Sequence, residues 1–206
     1  MKSKLIIAIV LLSATTSIQS QSLWDKSKPD NNFSFGVRGG VNFASSDMDY
    51  ATSTRTGFHA GMVVDWNIIK SISVSSGLSY ESKGFKSNYG KGDAGYLQVP
   101  LLLSYRIETV TGVQFHLNVG PYFAWGVSGK VDYKPYDMTF TYSYNQDSFG
   151  KNGFFKSFDT GLTAGAYIKL NHILLGVCYE YGMFDVAKVY GKFHNRNMCA
   201  TLGYDF

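Results

Sequence analysis

Alternation is the dominant pattern along the chain. At the C-terminus, Met198, Ala200, Leu202, Tyr204 and Phe206 fall on one face, and Asn197, Cys199, Thr201, Gly203 and Asp205 on the other. A period of two marks a strand with one apolar and one polar side. Seven earlier segments repeat it: 33–43, 56–66, 71–85, 95–107, 113–127, 157–170 and 173–183. In the first, Phe33, Phe35, Val37, Val41 and Phe43 oppose Arg38 and Asn42. In the cleanest, Val113, Phe115, Leu117 and Val119 alternate with Gln114, His116, Asn118 and Gly120. The chain therefore reads as all-β, with eight strands and no helical period of useful length in its mature part.

The connections alternate as well. Segments 67–70, 108–112 and 170–172 are tight, whereas 44–55, 86–94, 128–156 and 184–194 are long and polar. Short turns at one end, long loops at the other and an even strand count are the pattern of an outer-membrane barrel. The short turns and both termini then belong to the periplasm, and the long loops to the outside. Pro100 and Pro121 fall inside strands, where a missing N–H breaks the ladder. A β-bulge at each is the expected solution, with a change of facing over 121–127.

The first residues are of another kind. Lys2 and Lys4 precede an apolar run from Leu5 to Leu12, then small and polar residues. This reads as a secretory signal peptide over 1–20. Residues 21–32 follow as a periplasmic linker, and 33–206 form the barrel. The run is shorter than the ~20 residues of a spanning helix. An exported chain with lipid-facing strands can span only as a closed barrel.

Composition narrows the picture further. Aromatics make up 16% of the chain, and charged residues 17%, below the ~25% usual for soluble domains. The net charge of +4 includes the basic leader, and no Lys/Arg cluster suggests nucleic acid. A soluble lipocalin-like periplasmic barrel would carry polar residues outside. Here the apolar face holds Trp, Tyr and the terminal Phe, which favours lipid.

Alternation sends Arg38, Asp65, Glu81, Arg106, Asp159, Lys169 and Glu180 into the lumen. An eight-stranded barrel is just wide enough to be filled by side chains. Those charges are expected to pair as a structural plug; the competing reading is a narrow ion pathway or transporter. Arg38 and Arg106 are expected to take Glu81 and Glu180, since a guanidinium fork matches a carboxylate. His59, His116, His172 and His194 are scattered, without ligand spacing for a metal. No nucleophile elbow occurs, so no enzyme activity and no cofactor is expected. The loop 128–156 carries Tyr133, Tyr136, Tyr142 and Tyr144 among polar residues. Rigid amphipathic aromatics of this kind suit partner recognition; the alternative is a strand extension packed on itself.

Cys178 and Cys199 fit no zinc or redox motif. A symmetric hairpin between the last two strands places them opposite each other on the lumen face. Two outcomes stay open: a disulfide, or two small thiols that pack.

The chain resembles the outer-membrane β-barrel proteins of Bacteroidetes grouped as the PorT family. The carrying segments are FSFGVRGGVNFA from Phe33, TGFHAGMVVDW from Thr56, LSYESKGF from Leu78 and GYLQVPLLLSYRI from Gly95. NVGPYFAWGVSGK from Asn118 and FDTGLTAGAYIKL from Phe158 complete them. The resemblance implies an OmpA/OmpX-like eight-stranded antiparallel transmembrane barrel. It also implies an assembly signal at Phe206, read by the barrel-assembly machinery. It supplies no catalytic residues. The expected surroundings are outer-membrane lipid and an unidentified protein partner at the outer loops.

Overall fold

The computed structural model describes residues 24–46, 52–87, 90–133, 144–150, 153, 155–186 and 194–206. The leader expected over 1–20 lies outside them. The strands are β1 (Phe33–Ser46), β2 (Thr52–Ser53), β3 (Arg55–Ile69), β4 (Ile72–Ser87), β5 (Gly90–Glu108) and β6 (Val113–Ser128). Then come β7 (Lys130–Tyr133), β8 (Tyr144–Asp147), β9 (Phe158–Leu170), β10 (Ile173–Gly182) and β11 (Asn195–Asp205). All pairings are antiparallel. The wall runs β4-β3-β1-β11-β10-β9-β6-β5, and the β4–β5 pairing closes it. The result is a closed eight-stranded barrel. The short strands β2, β7 and β8 extend its outer rim.

Closure brings the two ends of the barrel together. β1 pairs with β11 from Gly36↔Asp205 to Ser46↔Asn195. A slip of one residue would turn every side chain of β11 to the wrong face, so apolar-out, polar-in patterning fixes this register. Outward residues are well exposed: Met62 74%, Leu202 58% and Leu103 52%. Inward residues such as Ser73, Gln98 and Thr201 are buried. An apolar exterior around a polar interior inverts a soluble core and needs hydrocarbon outside.

Two features depart from the sequence reading. Residues 86–94 do not form a long loop: β4 and β5 continue as a projecting hairpin out to Ser87↔Gly90. Nor do the prolines make bulges. The β4–β5 ladder keeps one register throughout and leaves Gly77 and Leu78 unpaired, opposite Pro100 and Val99. Likewise Leu101 and Leu102 go unpaired opposite Pro121 and Gly120 in β5–β6. The ladder drops hydrogen bonds locally rather than inserting a residue, so facing does not change. Tyr122 and Ala124 stay inside and Phe123 and Trp125 outside. The irregularities lie instead between Asn67 and Ile69, and between Gly95 and Tyr96.

The described part of the linker, 24–32, is fastened to the periplasmic rim. Ser27 and Asn32 carbonyls accept from the Lys70 and Asn67 amides at 3.1 and 2.8 Å. The Asp25 amide donates to Ser71 Oγ at 2.8 Å, and Trp24 stacks on Tyr105 with centroids 6.0 Å apart.

Candidate functional site: the lumen and its outer mouth

The lumen holds two polar layers, and alternation along the strands builds both. In the periplasmic layer the centre is Asp205, the penultimate residue. Its Oδ1 lies 2.6 Å from Arg38 Nη2, and its Oδ2 lies 2.7 Å from Lys169 Nζ. Arg106 Nη2 donates to Asn67 Oδ1 at 2.6 Å. Asp65 stands across the β3–β4 ladder from Ser75.

The outer layer is organised by Lys83 and Glu180, 2.8 Å apart with side chains 1% and 5% exposed. Glu180 also accepts from Gln98 Nε2 at 2.5 Å and Asn197 Nδ2 at 3.0 Å. Lys83 donates to Gln98 Oε1 at 2.8 Å and lies 4.5 Å from the Tyr122 ring centroid. Glu81 accepts from Asn42 Nδ2 at 2.8 Å and Ser79 Oγ at 3.0 Å. His59 Nδ1 donates to Asn42 Oδ1 at 2.8 Å, which leaves Nε2 to accept from Thr201 Oγ1 at 3.2 Å. Asp159 accepts from Asn195 Nδ2 at 2.8 Å and the Tyr122 hydroxyl at 3.2 Å.

The expected charges thus all face inward, but the expected pairs do not form. Arg38 takes Asp205, not Glu81 or Glu180. Arg106 takes Asn67, and neither Glu81 nor Glu180 is its partner among the described residues. The reason is depth. Arg38 and Arg106 sit near the periplasmic turns, while Glu81 and Glu180 sit toward the outer loops. The sequence reading missed both pivotal partners, Lys83 and Asp205. Parity held the signal, since Lys83 shares the inward face with Glu81, and Asp205 with Cys199.

Above the outer layer, an apolar cap covers the mouth. It comprises Ala94, Tyr96, Tyr122, Ala124, Val131, Phe155 and Val186, with Phe149 packed against it. Phe149 meets Tyr96 edge-on, centroids 5.2 Å apart. Gly126 makes room for that ring: a Cβ there would fall 2.2 Å from it. Between the layers a cavity of about 120 Å³ remains, lined by Arg38, His59, Asp65, Tyr167, Cys178 and Cys199 among others. Cys178 and Cys199 are register partners joined in a disulfide, with Cα atoms 5.0 Å apart.

At the rim, β7 and β8 form a small hairpin in which Tyr133 faces Tyr144. Tyr136 and Tyr142 lie outside the described residues. Phe206 is 75% exposed beside Tyr204, and its amide donates to the Phe35 carbonyl at 2.9 Å. Among the described residues, no group of three or more His, Cys, Asp or Glu could hold a metal ion.

A closed eight-stranded antiparallel barrel with an apolar exterior and a plugged polar lumen is a transmembrane β-barrel protein. Residues 19–188 match the family model described as outer membrane protein beta-barrel domain. The chain belongs to that family, and its place is the outer membrane. The soluble lipocalin-like alternative is thereby set aside. Among solved structures the chain is similar to Ail, the attachment invasion locus protein of Yersinia pestis. That match has 18% identity and TM-score 0.49, over 85% of this chain and all of that one (100%). Neisserial surface protein A is similar at 11% identity and TM-score 0.49, over 85% of this chain and 100% of that one. The outer membrane protein OprG of Pseudomonas aeruginosa is similar at 16% identity and TM-score 0.47, covering 90% and 99% of the two chains. No curated protein matches the chain.

Proposed function

We propose that this outer-membrane barrel is an interaction platform, with a static lumen and a partner-binding face built from its outer loops. The carrying observation is the double closure of the lumen, with Lys83–Glu180 below and the Tyr96–Phe149–Phe155 cap above. A pathway for solutes would need both to part. That leaves the outer face as the surface free to act, and there the β4–β5 and β7–β8 hairpins project. Tyr133 and Tyr144 are register partners in the second of these, and Tyr136 and Tyr142 fall in sequence between them. The partner is a protein outside the cell or in the same membrane. The chain acts without catalysis or cofactor, and the barrel-assembly machinery inserts it. The ordered motifs from Phe33 to Leu170 support a place in the PorT-like group of Bacteroidetes, and with it a tie to secretion or envelope processes.

The test is photo-crosslinking from Tyr133 and Tyr144 in intact cells, followed by capture from the membranes. A discrete partner, lost when 134–143 is replaced by a Gly/Ser linker, supports the platform. Absence of any crosslink at both positions argues against it. Purified barrel in planar bilayers tests the pore reading: large stable conductance would overturn the static lumen.

A further inference from the structure

The disulfide sits on the inner face of the wall, between the two polar layers. Cys178 and Cys199 both line the lumen cavity; Cys199 is 4% exposed and Cys178 half-buried. Above them stand Lys83, Glu180 and the apolar cap; below them stand Arg38, Lys169 and Asp205. On the wall, Cys178 faces Gly165 of β9, and Cys199 faces Asn42 of β1. The Tyr167 ring lies beside the glycines flanking this site: a Cβ on Gly176 would fall 2.2 Å from it, and one on Gly165 2.7 Å. A lumen filled by side chains excludes any folded domain.

Thiol oxidation by exchange needs a sulfur of the chain and a disulfide sulfur of the oxidant in line. We propose that the chain is the substrate of a periplasmic dithiol-oxidising protein, and that the oxidation precedes barrel closure. The bond would form on the isolated β10–β11 hairpin, while its future lumen face is still open. One cysteine thiolate attacks the oxidant's disulfide, forming a mixed disulfide and releasing one oxidant thiol. The other cysteine's thiolate then displaces the oxidant sulfur. The Cys178–Cys199 bond is made, and the oxidant leaves as a dithiol with two electrons and two protons.

The geometry fits a hairpin-first event. The two residues are direct register partners, and the nine pairs from Ile173↔Tyr204 to Tyr181↔Arg196 run without a shift. Opposed strand residues already satisfy the Cα separation a disulfide needs. The product is a hairpin whose register is covalently set before β11 meets β1. Closure is the step most exposed to slippage, because β1 and β11 are the most distant strands in sequence. A pre-set hairpin offers β11, with Phe206 at its end, as a fixed template for that pairing.

Pulse-labelled cells test the order of events. Samples are quenched in acid, alkylated with a maleimide polymer, and run unheated so that folded and unfolded forms separate. The expected result is oxidised unfolded chain before any folded band, and a folded band oxidised from its first appearance. A folded, reduced band that oxidises later would overturn the inference, as would a folded protein that never acquires the bond. In a second arm, reduced chain is refolded into vesicles and exposed to a thioredoxin-fold oxidant in its disulfide form. Oxidation at least ~100-fold slower than for the urea-unfolded chain is expected, because it must await rare opening of the barrel. Equal rates would overturn it.

Discussion

Replacing Lys83 with Met isolates the outer layer of the plug. The substitution keeps most of the apolar stem and removes the charge. Glu180 then stays buried, with Glu81 and Asp159 nearby and no cation against it. Removing one partner of a buried pair costs ~3–5 kcal/mol. Gln98 and Asn197 still donate to Glu180, which points to the lower end, about 3 kcal/mol. Loss of the cation over the Tyr122 ring adds about 1 kcal/mol. The reciprocal variant Glu180→Gln strands Lys83 and is expected to cost a similar amount. The double variant Lys83→Met/Glu180→Gln leaves no unpaired charge and should recover at least ~2 kcal/mol of the summed losses. Urea unfolding of the barrel in lipid vesicles, followed by tryptophan fluorescence and by heat-modifiable migration, reads all three. A Lys83→Met variant within ~0.5 kcal/mol of wild type, the range of ordinary surface substitutions, would refute the reasoning. Simple additivity in the double variant would refute the pair while leaving the burial cost intact.

Other outcomes follow from the same contacts. Asp205→Asn removes the one carboxylate serving both Arg38 and Lys169, and should cost on the order of 3 kcal/mol in the same urea titration. Arg106→Ala should cost only ~1–2 kcal/mol, because the close contact it forfeits is a hydrogen bond to Asn67. Equal losses for these two variants would remove the distinction. Deleting Phe206 should slow the appearance of the folded band in cells while leaving the refolded barrel's stability within ~1 kcal/mol, since the ring faces outward at the chain end. Gly126→Leu should push the Phe149 ring off the cap, and increased proteolysis of the loop after Ser128 would report it.

Much of this barrel was legible because its medium imposes a strict code. Lipid outside and packed polar groups inside force period-two alternation on every spanning strand, so facing and strand count follow from sequence. The code lapses where the medium changes. Beyond the membrane, water meets both faces of a hairpin, and 86–87 and 90–94 show no alternation although they are strand. Partner choice inside the lumen was less legible, since it depends on depth and not on facing. Arg38 and Glu81 share the interior but occupy different layers, and only the shear of neighbouring strands decides which residues meet. Lys83 falls within the segment read as strand over 71–85 and on the face of Glu81, yet the sequence reading leaves it out of the lumen charges.

The two layers divide the work in a way that bears on function. Asp205 gathers two cations supplied by β1 and β9, so it ties the strand that closes the barrel to strands on either side. Lys83 of β4 gathers Gln98 from the adjacent β5 and reaches across the lumen to Glu180 of β10. Each layer therefore contains an ion pair that needs the closed ring: Arg38–Asp205 across the β1–β11 seam, and Lys83–Glu180 across the lumen. Together with a disulfide confined to the last hairpin, this gives an assembly in which local covalent order comes first and cross-barrel ion pairs come last. Ion pairs that complete only in the closed ring resist its reopening, and a barrel held in this way is a rigid support. Rigidity is what an exposed loop platform requires, because the entropy of ordering the loops on a partner is then the main cost left to binding.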